Sequence, residues 1–183
     1  MLAGALGLVL ARTSFADPTA LSLADKGNQY VGVQSKDRII HIESEKSMGT
    51  LVPTVWYVEY YDPDAMMKRV DVKFGAGQEL EVSHPVRPFE LPAKDEDVLD
   101  RTRLKVDSDR ALSLAAAEPL LKPLTLRAAK LTLTGSDAGP VWKVELWAAK
   151  LSDPTEEANV GTVTLSAADG TIGRADLHPG KAN

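Results

Sequence analysis

An α+β fold made of two repeated units, each one helix packed on an antiparallel sheet of about four strands, is what this sequence predicts. Three observations carry the prediction. The stretch PTVWYVEYYDPDA at 53–65 returns as GPVWKVELWAAK at 139–150, so a Val-Trp-x-Val-Glu strand entered from a proline is written twice. Each copy is preceded by a segment with helical spacing. Each also leads through an Asp-Pro turn, Asp62-Pro63 and Asp153-Pro154, into further alternating strands. Self-similarity at this scale marks one supersecondary unit used twice.

The elements follow in chain order. Residues 1–16, MLAGALGLVLARTSFA, read as a secretory signal. An apolar run from Leu2 to Ala11 is followed by Ser14-Phe15-Ala16 as a small-x-small cleavage site before Asp17, although no positive n-region precedes the run. The run falls short of the ~20 residues that span a bilayer. The first unit, 17–83, opens on DPTALSLADKGNQYVGVQSKD, where Leu21, Ala24, Asn28 and Val31, flanked by Leu23, Gly27 and Tyr30, suit an amphipathic helix that frays near Gly27 and Gly32. DRIIHIESEKS then alternates Ile40 and Ile42 against His41 and Glu43, and MGTLVP turns into the first tryptophan strand, giving a hairpin. In that strand Trp56, Val58 and Tyr60 share the core face, while Tyr57, Glu59 and Tyr61 face outward. KRVDVKF points Val70, Val72 and Phe74 inward, and GAGQELEV turns into a short strand carrying Leu80 and Val82.

Three prolines (Pro85, Pro88, Pro92) and the charge-rich KDEDVLDRTRLK interrupt all periodicity, so 84–106 reads as a linker. The second unit, 107–178, starts with a helix in VDSDRALSLAAAEP. Asp107 or Ser108 serves as N-cap, Asp109 complements the dipole, and Pro119 closes the helix. LTLRAAKLTLTG is a strand with an irregularity near Ala128-Ala129, where the inward parity shifts. Trp142, Val144 and Leu146 then match Trp56, Val58 and Tyr60. A strand with Val163 and Leu165 inward and an Asp169-Gly170 hairpin complete the unit before a tail at 179–183.

Composition narrows the function classes. The 183 residues are 44% hydrophobic, enough to bury a core, and the formal net charge of −5 comes with no basic cluster of the kind that displaces counterions from nucleic-acid phosphate. The absence of cysteine excludes disulfides, thiol catalysis and cysteine-ligated metals. His41, His84 and His178 lie in a strand, the linker and near the tail, with no zinc-ligand spacing. The acidic groups Asp62/Asp64, Asp95/Glu96/Asp97 and Asp107/Asp109 read as a turn, a solvated linker and a helix cap, because no regular oxygen series with a glycine at its sixth position marks a calcium loop. No serine sits in a Gly-x-Ser-x-Gly elbow, and GVQSKDR lacks the second glycine and the Lys-Ser/Thr ending of a phosphate loop. No cofactor is therefore expected. The outward faces of the two tryptophan strands, Tyr57, Glu59 and Tyr61 with Lys143, Glu145 and Trp147, combine aromatic bodies with charge. That composition is enriched where proteins meet partners, and Arg69, Asp71 and Lys73 extend it.

The run SDRALSLAAAEP…VWKVELWAAK…GTVTLSAADGTIGRADL, residues 108 to 177, resembles a PepSY domain, and 18 to 82 resembles one more loosely. The resemblance rests on packing and turn residues: an N-capped alanine-rich helix, an aromatic hairpin strand and a closing strand pair. It implies an exported, extracytoplasmic, non-catalytic module that binds or restrains a protein or peptide partner, sometimes a peptidase, in the periplasm or outside the cell. It supplies no catalytic residues, and these 183 residues contain no peptidase domain and no membrane anchor. Two other readings stand beside it: a hydrolase with a carboxylate pair at the junction of the units, and a structural envelope component that associates with itself.

Overall fold

A computed structural model describes residues 17–182. The signal segment 1–16 lies outside the described residues. Helix α1 (Ala20–Gly27) is followed by strands β1 (Ile39–Ser44), β2 (Val55–Tyr61), β3 (Arg69–Gly75) and β4 (Gln78–Ser83). Helix α2 (Ser108–Ala116) precedes β5 (Leu126–Thr134), β6 (Val141–Ala149), β7 (Glu157–Ser166) and β8 (Ile172–Leu177). The eight strands form one antiparallel sheet in the order β4-β3-β2-β1-β5-β6-β7-β8. The chain is α+β, with a single sheet running through both halves.

Side-chain alternation sets the layers. Ile42, Trp56, Val58, Tyr60, Val70, Val72 and Phe74 from the first half join Leu131, Leu133, Trp142, Val144, Leu146, Val163 and Leu165 from the second. One continuous core results, with Leu23 of α1 and Leu112 of α2 packed into it. The tryptophan strands behave as their alternation requires: both indoles are buried, Trp56 donating to the Pro53 carbonyl (3.2 Å) and Trp142 to the Val106 carbonyl (2.8 Å). Burying a ring whose N–H finds a partner combines the largest apolar gain with no orphaned donor.

Helix α1 buries Ala20, Leu23, Ala24 and Gly27. Of the expected stripe, Ala24 and Val31 are buried and Leu21 packs against the core, while the flanking Leu23 and Gly27 lie deeper than Asn28. The last residue of the helix, Gly27, has no room for a side chain because β2 comes so close there. A Cβ on Gly27 would sit 2.0 Å from the Tyr60 hydroxyl, which donates to the Ala24 carbonyl at 2.6 Å. That burial pushes the Tyr60 phenol well above its ordinary range. Thr19 gives α1 no side-chain cap. Its first-turn donors are met from the other half: Ala20 N–H bonds Ser108 Oγ (3.0 Å) and Leu21 N–H bonds Asp107 Oδ1 (3.0 Å). Asp107 is also the N-cap of α2, accepting from Ser108 N–H at 2.6 Å, so one carboxylate serves the positive ends of both helices. Helix α2 ends at Ala116, and Pro119 opens a following 3-10 turn.

At the centre, β1 and β5 share two residue pairs, Ile42 with Leu133 and Glu43 with Thr132. Two buried serines lengthen this seam. Ser44 Oγ accepts from Leu131 N–H (2.9 Å) and Ser47 Oγ from Ala129 N–H (2.9 Å), while Ser47 N–H donates to the Ala129 carbonyl (2.9 Å). The irregularity expected near Ala128-Ala129 is a register shift between Leu126 and Ala128. The last hairpin closes with Ser166 N–H on the Thr171 carbonyl, so its loop is longer than a two-residue Asp-Gly turn. Leu80 and Val82, carried by the expected short strand, are 58% and 39% exposed, because β4 is an edge strand and α1 packs over β2. The segment 84–106 is bound to the body rather than loose: Ala93, Leu99 and Val106 are buried, and Leu99 N–H bonds the Ile39 carbonyl (2.8 Å).

Candidate functional site

The helix-free face of the sheet carries a row of polar side chains. Cross-strand pairing sets Asp71 opposite Glu59, and Glu59 opposite His41. Carboxylates directly opposite on antiparallel strands repel, and this pair is also covered: Glu59 is only 4% exposed. Two arginines hold it. Arg69 Nη1 reaches Glu59 Oε1 at 3.0 Å, and Arg87 Nη2 bridges Glu59 Oε2 (2.7 Å) and Asp71 Oδ2 (3.0 Å). Asp71 Oδ1 and Arg69 Nε are buried without a hydrogen-bond partner among the described residues. Burial, reinforced by the Glu59 charge and opposed by Arg87 and Arg69, pushes the Asp71 carboxyl up to about 6.

Arg87 comes from the segment 84–93, which crosses this face as a strap. His84 Nε2 lies 3.3 Å from Asp62 Oδ2, Glu90 pairs with Arg69 (3.1 Å), Arg69 Nη2 donates to the Leu91 carbonyl (3.2 Å), and Ala93 N–H bonds the Met67 carbonyl (3.0 Å). The three prolines keep the strap extended and deprive it of donors, so it forms no ninth strand. Charge fastens it, and its apolar side chains point away from the body: Val86 and Leu91 are 61% and 79% exposed, and Phe89 is fully exposed.

Phe89 is held in an unfavourable backbone. Glu90 N–H bonds the Arg87 carbonyl (3.2 Å), closing a four-residue turn with Pro88 second and Phe89 third, and Phe89 has φ +73°. A turn with proline second and positive φ third is the type II kind, whose third position calls for glycine or asparagine. An aromatic residue there stores about 1–2 kcal/mol of strain. The two residues flanking the Pro-Phe pair, Arg87 and Glu90, are the ones the ion cluster grips.

The sequence-derived contact residues all lie on this face. Tyr57 donates to Glu45 Oε1 (2.7 Å) with Lys73 Nζ 4.9 Å above its ring. The Arg38 guanidinium lies 4.3 Å over Tyr61, and Lys46 Nζ lies 4.8 Å over Trp147. Each aromatic is thus capped by one of the chain's own cations. Lys143 and Glu145 pair with each other (3.1 Å). Strands β1 and β5 separate these β6 residues from Tyr57, Glu59 and Tyr61, and the Glu43–Lys130 ion pair fills the gap. Glu59 is a buried anchor and no exposed contact residue. What sequence reasoning passed over is the strap; its signal was three large apolar residues spaced among prolines inside an otherwise charged stretch.

Beside the cluster, at the junction of the halves, lies an open cleft of about 600 Å³ lined among others by His41, Glu59, Arg69, Arg87, Arg103 and Ser136. Chemically, a carboxyl near pH 6 opposite a second carboxylate is suited to exchange a proton. Here both acids are held by arginines. Compared with models of known families, with curated proteins and with solved structures, the chain finds no match in any of the three.

Proposed function

We propose that this protein is an exported, non-catalytic binding module that engages a protein or peptide partner in the cell envelope through the Phe89 turn of the strap. The observation that carries the reading is the strained display of Phe89. A bulky apolar side chain occupies a position where glycine would be more stable, is fully exposed, and is held there by an ion cluster anchored on the buried Glu59. Strain retained at an exposed position points to use. Aromatic anchors surrounded by polar groups are the usual energetic centre of protein contacts. The helix followed by a four-strand meander, present once before and once after the strap, supports reading the chain as two PepSY-like units that share a sheet.

The test compares the parent with Phe89→Gly in pull-downs from envelope extract. On this reading Phe89→Gly loses a specifically captured protein while its own melting temperature rises, because glycine relieves the turn. Capture that survives Phe89→Gly but fails in Tyr57→Ala/Tyr61→Ala/Trp147→Ala would move the contact to the sheet face. Glu59, which lines the cleft, and the raised Asp71 carboxyl opposite it favour a second reading, a hydrolase. It ranks behind because both acids are held by arginines. Hydrolysis of a peptide or glycoside panel that is abolished by Glu59→Gln would establish it.

A further inference from the structure

An eight-stranded open sheet has two edges, and the two edges of this molecule differ. Strand β4, QELEVS, carries Glu79 and Glu81 and no cation, so a second copy laid against it brings carboxylates together. That is the charge guard by which edge strands avoid pairing. Strand β8, IGRADL, carries one charge of each sign, Arg174 and Asp176, on the helix-free face opposite Thr164 and Thr162 of β7. Both are more than half exposed, and within the strand they contact each other at only 3.4 Å.

The backbone polarity of β8 can be read from its ladder. His178 N–H bonds the Val160 carbonyl (2.7 Å), which extends the register in which Thr162 faces Asp176 and Thr164 faces Arg174. The even-numbered residues therefore turn their N–H and C=O groups toward β7. Ala175 and Leu177 turn theirs out of the sheet. The bulge in this ladder lies at the Ile172–Gly173 end and leaves 174–177 regular.

From this juxtaposition we infer that β8 is a self-complementary interface for a second copy of this chain, paired antiparallel about a two-fold axis at Ala175. Ala175 then lies opposite its own copy and exchanges two backbone hydrogen bonds with it. The same register places Arg174 opposite Asp176 of the partner subunit, and by symmetry Asp176 opposite Arg174 of the partner subunit. These are non-hydrogen-bonded positions, where facing side chains come closest. Centring the axis on Arg174 or Asp176 opposes like charges and presents backbone already used by β7. Moving it to Leu177 runs the ladder into Pro179, which has no N–H and opens a 3-10 turn. Charge and backbone polarity thus agree on one register. A two-fold contact closes at two copies and joins the two sheets into one of sixteen strands, whereas a β4-to-β8 contact would grow without end.

Sedimentation equilibrium of the full chain, from micromolar to near-millimolar concentration, tests this. The expected mass rises toward twice the 19.7 kDa of one chain. Arg174→Asp and Asp176→Arg each weaken association by about tenfold or more, because each sets like charges opposite twice per dimer. The double variant Arg174→Asp/Asp176→Arg restores it, since swapping both signs restores the pairing. Ala175→Pro leaves a folded monomer, because its N–H takes no part in the β7 ladder, and abolishes the dimer. A monomer at every concentration overturns the proposal, as do association that survives Ala175→Pro and growth beyond two copies.

Discussion

Asp71 is where the chain's electrostatics are least comfortable. It faces Glu59, is largely out of water, and has one carboxylate oxygen with no partner among the described residues, while Arg87 holds the other. Its carboxyl lies above the ordinary 3.8, at about 6, so its ionisation works against the fold. A raised folded-state value means that the group's contribution is fully present below the unfolded value and is lost as pH rises through about 6. Asp71→Asn removes that dependence. The melting temperature of the variant minus that of the parent should be more positive above pH ~7 than below pH ~4; a flat difference would mean that Asp71 ionises without penalty. Glu59 illustrates the limits of reading strand parity at this scale. Alternation placed it on the outer face correctly, but only the strap, arriving from 28 positions further on as Arg87, decides that an outward residue is buried.

At the level of elements, the helices are short and depend on each other. Helix α1 has eight residues and no acidic residue in its first turn, and its N-terminal donors are met by Asp107 and Ser108. An isolated helix of this length is not stable in water, so its persistence rests on packing and on that cap. Asp107→Ala removes a capping acceptor from both helices and should cost about 1–3 kcal/mol in denaturant unfolding, more than an ordinary cap of ~1 kcal/mol. Asp107→Asn should recover most of it, and a loss no larger than that of an ordinary cap would show that water replaces the carboxylate at α1. The strands were legible in the sequence because period-two alternation is a local property; Trp56, Val58 and Tyr60, and Trp142, Val144 and Leu146, are buried as that alternation requires. The stripe of α1 was legible only in part: Ala24 and Val31 are buried as expected, but the close approach of Tyr60 to Gly27 centres the inward side on Leu23 and Gly27. Likewise Leu80 and Val82 alternate correctly, yet their exposure follows from β4 being an edge.

For the molecule as a whole, the join between halves could not be read from the sequence. The seam consists of two β1–β5 residue pairs supplemented by the hydroxyls of Ser44 and Ser47, and a serine that accepts from a distant backbone N–H leaves no periodic trace. Together with the shared helix cap and one continuous core, that seam binds the halves without help from the strap. The peptide bond after Phe89 is consequently idle as a tether. Chymotrypsin, which cuts after exposed aromatics, should nick the folded protein there, giving two pieces that elute together under native conditions and part only in denaturant; pieces that separate at once would show that the strap carries the join. The same feature has a biological reading. On the proposed reading, one cut there would release the turn from its strained shape and erase the proposed contact while the body stays intact, an irreversible off-switch that needs no unfolding.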